Sequence, residues 1–365
     1  MLFKIIAVVL FAVVCRHLLV LVDILGFFRT VHTHWPGPCR NVGPINTGSE
    51  QIIVTSDGLA FITSGLLTEY RGDTVDPRMK TFVEGKIFLF NFSDPEKDAK
   101  ALEIDVKFDF MPHGMGLNED QENGEIRLFV VNHRQGEDTV EIIAYQRKTS
   151  TLKHVKTIRD PLFTSLNDVT PTGPNAFYAT NDGYFRNSTL RVPELFLFLP
   201  WGSIVYFDGK MTRKVVDSVY EPNGISMSSD GTTVVVCMAF QQSIHIYHRQ
   251  GDNSLILSRE LKVQMSCDNV FIHPKTGHLW LGVLAKPHTV IESIGNIEKT
   301  SPAMACRLEP RGPPTDVFQS FQVYEVFADN TGLISTSSSV VEYGDKLLIG
   351  SISHKLVFCE METKY

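Results

Sequence analysis

The chain lacks the marks of a nucleic-acid or zinc protein. It has no basic run with interleaved aromatics, and its formal net charge over 365 residues is −7, which argues against a polyanionic partner. None of its six cysteines stands in a CxxC pair, so the spacing of a zinc cage is missing. No polar low-complexity tract divides the chain after the N-terminus. Helical periodicity is poor outside the N-terminus and Thr189–Leu199. What is present is ordinary globular material: 43% hydrophobic and 21% charged residues, enough for one large domain or two smaller ones with a substantial core.

The N-terminus departs from this. Residues Leu2–Phe28 read LFKIIAVVLFAVVCRHLLVLVDILGFF. A spanning helix needs roughly 20 apolar residues, so the segment is long enough. Arg16, His17 and Asp23 interrupt it, and an Arg or Asp at the bilayer centre costs roughly 2.5–3.5 kcal/mol. No small-x-small cleavage site follows Cys15. Residues 1–30 therefore read as an uncleaved signal anchor, with residues 31–365 luminal or extracellular. The alternative is a secreted chain with a signal-peptide core over Ile5–Cys15. Sequons at Asn91-Phe92-Ser93 and Asn187-Ser188-Thr189 fit the secretory pathway. Cys39 opens the globular part and Cys359 nearly closes it, so a bridge between them would close a very long loop.

Beyond the anchor, apolar runs of four to eight residues recur, among them Leu59–Thr63, Val140–Tyr145, Thr233–Met238 and Leu279–Val283. Turn signals such as Ser56-Asp57-Gly58, Ser229-Asp230-Gly231 and Lys275-Thr276-Gly277 separate them. This is an all-β pattern of short strands. A larger period lies over it. Glu50, His113, Asn167, Asn223 and Asn269 each stand just before an apolar strand pair, and a further equivalent falls near Ser337-Ser338. Six units of about four strands predict a six-bladed β-propeller, whose innermost strands face a central channel.

Taken singly, an Asn or Asp before a strand is an Asx turn. Several in phase predict convergence on the axis. Glu50, Asn167, Asn223, Asp268 and Asn269 supply two carboxylates and three neutral oxygens. Ca²⁺ takes 6–8 oxygen ligands, so such a set leaves room for water and a substrate oxygen. A metal so held is a Lewis acid for a carbonyl.

At these positions the chain resembles the paraoxonase/arylesterase family. The resemblance covers roughly Cys39 to Glu360. It is carried by GSEQIIVTSDGLAFITSG (Gly48–Gly65), MPHGMG (Met111–Gly116), VVNHR (Val130–Arg134), LNDV (Leu166–Val169), ATNDGYF (Ala179–Phe185), PNGISMSSDG (Pro222–Gly231), CDNVFIHPKTGHLWLG (Cys267–Gly282) and KLLIGSISHKLVFCE (Lys346–Glu360). It implies a six-bladed propeller with a catalytic calcium on Glu50, Asn167, Asn223, Asp268 and Asn269. It also implies a water-activating histidine dyad of His113 and His133, a Cys39–Cys359 disulfide, and aryl esters or lactones as substrates.

There are departures. The family's second calcium is held by an Asp directly after the Glu, and here that residue is Gln51. Asp168 and the Met115 carbonyl match other ligands of that second site. Val283 and Leu284 replace a Cys-His pair, and Glu221 replaces an apolar pocket residue. Tyr184–Phe207 corresponds to an amphipathic surface helix near the active-site mouth, with Leu195–Pro200 and Trp201 as its membrane-facing candidates. The resemblance leaves a second class open: a membrane-tethered, non-catalytic relative that serves the assembly of membrane channels, with a membrane-protein partner.

Overall fold

The computed structural model describes residues 1–66, 84–120, 122–134, 136–186, 188–295, 299–311 and 320–362. Helix α1, Leu2–Ile24, holds the apolar segment. It has a mean hydropathy of 2.8 in its most apolar window, and none of that window is buried. At about 1.5 Å per residue it is long enough to cross a bilayer.

The rest is a six-bladed β-propeller. Six four-stranded antiparallel sheets follow one another, each strand pairing with the next in sequence. The first five blades begin with their inner strands: Ile52–Val54, Pro112–Glu119, Leu166–Gly173, Pro222–Met227 and Ser266–Ile272. The sixth begins with Val340–Glu342, and its outermost strand comes from the other end of the chain. Cys39–Val42 pairs antiparallel with Leu356–Glu360, setting Cys39 opposite Cys359, and the two cysteines form a disulfide across 320 residues. On the chain-entropy view a loop of that length is worth roughly 5 kcal/mol. The closure removes the free edges that an open ring of sheets would expose.

Each pair of neighbouring blades buries an apolar layer. Phe61, Ile87, Met115 and Leu128 lie between the first two blades, and Phe129, Val131, Phe177 and Val205 between the second and third. Trp280, Phe327, Leu347 and Val357 lie between the last two. Alternation along each middle strand supplies one layer on each face, which is why those strands read as nearly continuous apolar runs.

The inner strands share an irregularity. In four of them two residues oppose a single residue of the next strand: His113-Gly114, Asn167-Asp168, Asn223-Gly224 and Asp268-Asn269. Such bulges re-aim the side chains they carry. The polar residues thus lie inside the innermost strands at bulges, where the sequence pattern placed them just before strands. Gly114 and Gly224 let neighbouring bulges approach. A Cβ on Gly114 would strike Asn167 O and the Asp168 backbone, and one on Gly224 would strike Asn269 and Asp268 O.

Two short helices were less legible. Helix α2, Ser188–Phe196, matches the one weak helical stretch, and Pro193 sits inside it. Helix α3, Pro287–Gly295, lies in a region whose pattern gave no helix; Pro287 at its first position is its local signal. Helix α1 ends against the propeller near both. His17 Nε2 lies 2.7 Å from Phe196 O, and His288 meets Leu25 O through its backbone N–H and Nδ1. Arg29 donates to Ala285 O and Gln264 O.

Candidate active site

The bulges and the segment before the first blade bring Glu50, Asn167, Asn223, Asp268 and Asn269 to the propeller axis. All five are buried. Asn269 Nδ2 donates to Glu50 Oε1 at 2.7 Å, and the Asn223 side chain hydrogen-bonds Asp268. From the sixth blade's approach, Ser338 Oγ donates to the Glu50 carbonyl.

Each of these five residues keeps one buried oxygen without a hydrogen-bond partner: Glu50 Oε2, Asn167 Oδ1, Asn223 Oδ1, Asp268 Oδ2 and Asn269 Oδ1. A buried, unsatisfied polar atom costs roughly 1–3 kcal/mol. Five in one place would consume a large part of a domain's net stability of about 5–15 kcal/mol. Burial and the nearby Asp268 and Asp168 charges push the Glu50 carboxyl well above its usual range. Asp268 is pushed up to about 8, chiefly by burial and then by Asp168. A cluster of this kind fits a cation. Its donors are all oxygens, with no thiolate or imidazole among them, which suits a hard ion such as Ca²⁺. No group of three His, Cys, Asp or Glu side chains among the described residues could hold a metal, so the fit depends on the amide oxygens.

The residue next to Glu50 behaves differently. Gln51 Nε2 donates to Asp168 Oδ2 at 3.1 Å, while Gln51 Oε1 accepts from the Ile52 N–H. Asp168 also accepts the Ile225 N–H at Oδ2 and the Val169 N–H at Oδ1. The Met115 backbone N–H adds a further bond, and burial outweighs them all to raise its carboxyl to about 7. Both Asp168 oxygens are satisfied. The residues here do not fit a second calcium on Asp168, because the Gln51 amide donates where a cation would sit.

The histidines lie beside the axial cluster. His113 Nε2 is 3.7 Å from Glu50 Oε1, and His113 Nδ1 is 2.9 Å from His133 Nε2. Burial, then the neighbouring His133, holds the His113 imidazole well below its ordinary pKa. His133 Nδ1 lies 2.7 Å from Asp138 Oδ1, and Arg186 Nη2 donates to the same oxygen at 2.6 Å. Neither Asp138 nor Arg186 stood out in sequence. The available signal was the hairpin VNHRQGEDTV, whose register sets His133 opposite Asp138.

Glu221 is an enclosed carboxylate. It is buried and paired to Arg191 at 2.5 Å, and Arg191 also reaches Asp182 and Glu194. Burial raises Glu221 to about 7 against the pull of Arg191. On the same side α2 and the turn after it expose Leu190, Val192, Leu197 and Trp201. Asn91 is exposed at the end of strand Lys86–Asn91, with its side chain turned onto the Ser93 N–H. Asn187 lies outside the described residues.

A closed six-bladed propeller with a buried oxygen cluster on its axis and a histidine pair beside it defines the class. The chain belongs to the arylesterase family, whose model matches residues 30–361. It is 33% identical to human serum paraoxonase/arylesterase 1 over 332 residues, 88% of each chain. It is 32% identical to chicken serum paraoxonase/arylesterase 2 over 329 residues, again 88% of each. To human serum paraoxonase/lactonase 3 it is 32% identical over 336 residues, 91% of each. Among solved structures it shares its fold with a gluconolactonase from Xanthomonas campestris, at a TM-score of 0.51 and 14% identity over 92% of this chain and 99% of that one. A calcium-binding regucalcin from Agrobacterium tumefaciens gives a TM-score of 0.51 at 15% identity, covering 92% and 98%.

Proposed function

We propose that the protein is a calcium-dependent hydrolase of carboxylic esters, with aryl esters and lactones as its substrate class. It is held at a membrane by α1 with the propeller on the luminal or extracellular side. The single observation that carries the reading is that the five residues, at corresponding places of successive repeats, each keep a buried oxygen without a hydrogen-bond partner. Glu50, Asn167, Asn223, Asp268 and Asn269 hold one Ca²⁺. Bound there, the ion supplies a Lewis acid for the substrate carbonyl oxygen.

His113 is the general base. Its depressed pKa keeps the imidazole neutral near pH 7, so that Nε2 can take a proton from water while the water oxygen forms a bond to the carbonyl carbon. The carbon–oxygen bond to the leaving alcohol or phenol then breaks, and the proton passes to that oxygen. A lactone opens to a hydroxy acid. His133, hydrogen-bonded behind His113, shares the charge that arrives with the proton.

The exposed apolar side chains of α2 and its following turn, with α1, support a reading in which that end of the propeller lies near a lipid surface. Helix α1 is read as uncleaved because its last turns and the residues after it are bonded into the propeller at His17, Leu25 and Arg29.

The test is hydrolysis of phenyl acetate and of a γ- or δ-lactone by the purified full chain in detergent, with calcium and with chelator. Turnover that chelator abolishes and calcium restores is expected. A folded, calcium-loaded protein that hydrolyses neither class would overturn the reading and favour a non-catalytic, membrane-tethered role.

A further inference from the structure

We propose that Asp138 and Arg186 are positioning residues for the histidine pair. Asp138 fixes which nitrogen of His133 carries the proton, and Arg186 holds Asp138 in place. The inference rests on the hydrolase reading above but is tested by a readout that needs no turnover.

The argument is one of hydrogen-bond bookkeeping. Asp138 is buried, yet its carboxyl stays below the usual range. Burial works to raise it, and its contacts with His133, Arg186 and the Leu166 N–H outweigh that. An ionised carboxylate only accepts, so His133 must donate to it from Nδ1 at 2.7 Å. In its neutral form His133 has one N–H. Nε2 of His133 is then the acceptor, and it accepts from His113 Nδ1 at 2.9 Å. That puts the His113 lone pair on Nε2, the nitrogen turned toward Glu50. With the opposite tautomer of His133 the order reverses: His113 would carry its proton on Nε2 and have no base at the axis. The carboxylate at one end thus decides whether a base exists at the other.

Asp138 also sets position. Its second oxygen, Oδ2, accepts the Leu166 N–H at 2.9 Å. Leu166 directly precedes Asn167 in the inner strand of the third blade. One carboxylate therefore ties the histidine pair on the second blade to the strand that carries an axial oxygen. Arg186 reaches Asp138 Oδ1 at 2.6 Å from the segment leading into α2. It lines, with Phe163, Tyr184 and Phe185, a cavity of about 670 Å³ that opens outside Asp138. The Arg186 side chain is 31% exposed against 2% for Asp138, so the guanidinium caps the buried carboxylate on the solvent side.

The experiment is ¹⁵N NMR of the histidine-labelled full chain in detergent with calcium, paired with steady-state kinetics. Wild type is expected to show His133 protonated at Nδ1. Asp138→Ala should lose that single tautomer and lower kcat by roughly 10²-fold, with KM changed less than about threefold. Arg186→Leu should keep the tautomer and lower kcat by about tenfold or less. It also serves as the folded test if Asp138→Ala does not fold, because Arg186 is partly exposed. Asp138→Ala with its tautomer and kcat intact would overturn the proposal, as would a wild-type His133 protonated at Nε2. A wild type with the expected tautomer and no ester turnover would support the positioning and defeat the hydrolase reading instead.

Discussion

Glu50 and Gln51 are adjacent in sequence and serve two different kinds of polar site. Glu50 joins four other residues whose buried oxygens have no protein donor left over. Gln51 joins Asp168, and there every carboxylate oxygen meets an N–H. The first leaves buried oxygens unpartnered, as a cation site would, and the second closes its own hydrogen-bond count. The difference is a single side chain: an amide brings its own donors and no charge, so it closes the hydrogen-bond count that a second carboxylate would leave open. The lesson is that metal sites are best recognised by what the protein leaves unsatisfied.

The sharpest way to break the comparison is to cut the axial cluster. Asp268→Ala should abolish calcium binding and lower kcat/KM by at least about 10²–10³-fold, the scale of a lost electrostatic stabiliser. It should also lower the melting temperature, because the buried Glu50 carboxyl loses its shared counter-ion. A variant that keeps both activity and calcium would show that the cluster is not the site.

His113→Gln is next. It should lower kcat by roughly 10²–10⁴-fold while leaving calcium stoichiometry and melting temperature near wild type. Kinetics set beside a calcium titration checks this, and an unchanged kcat would remove His113 as the base.

The smallest effect is in the pH dependence of stability. Asp268 and Asp168 have folded-state pKa values raised to about 8 and about 7, against about 3.9 for an unfolded Asp. The folded chain therefore binds protons that the unfolded chain releases, and stability present below about pH 4 is lost as pH rises toward the folded values. In chelator the melting temperature should fall between pH 5 and 8. With saturating calcium the part due to Asp268 should vanish, while the part due to Asp168 persists. Parallel chelated and calcium-loaded curves would contradict the distinction between the two sites.

Much of this was legible in sequence for a physical reason. The middle strands of each blade are covered on both faces, so Ala176–Asn181 and Thr233–Met238 read as apolar runs. Outer strands are wet on one side and read poorly: Thr212–Val219 and Leu255–Lys262 carry exposed residues along most of their length. The phase of the axial oxygens was visible because the repeat is regular. Their placement at bulges was not, since two residues opposing one is a property of the pairing and leaves only glycine as a trace, at Gly114 and Gly224. The pairing of Glu221 was not legible, because its partner Arg191 lies thirty residues away on α2. Asp138 was hidden in a hairpin whose turn chemistry masked its register with His133.

The most direct test of the central claim is calcium stoichiometry by equilibrium dialysis on the full chain in detergent, wild type beside Gln51→Asp. The account expects one tightly held ion per wild-type chain. It expects two in Gln51→Asp, where a carboxylate replaces the amide that now satisfies Asp168. Two ions on wild type, or none, would contradict it.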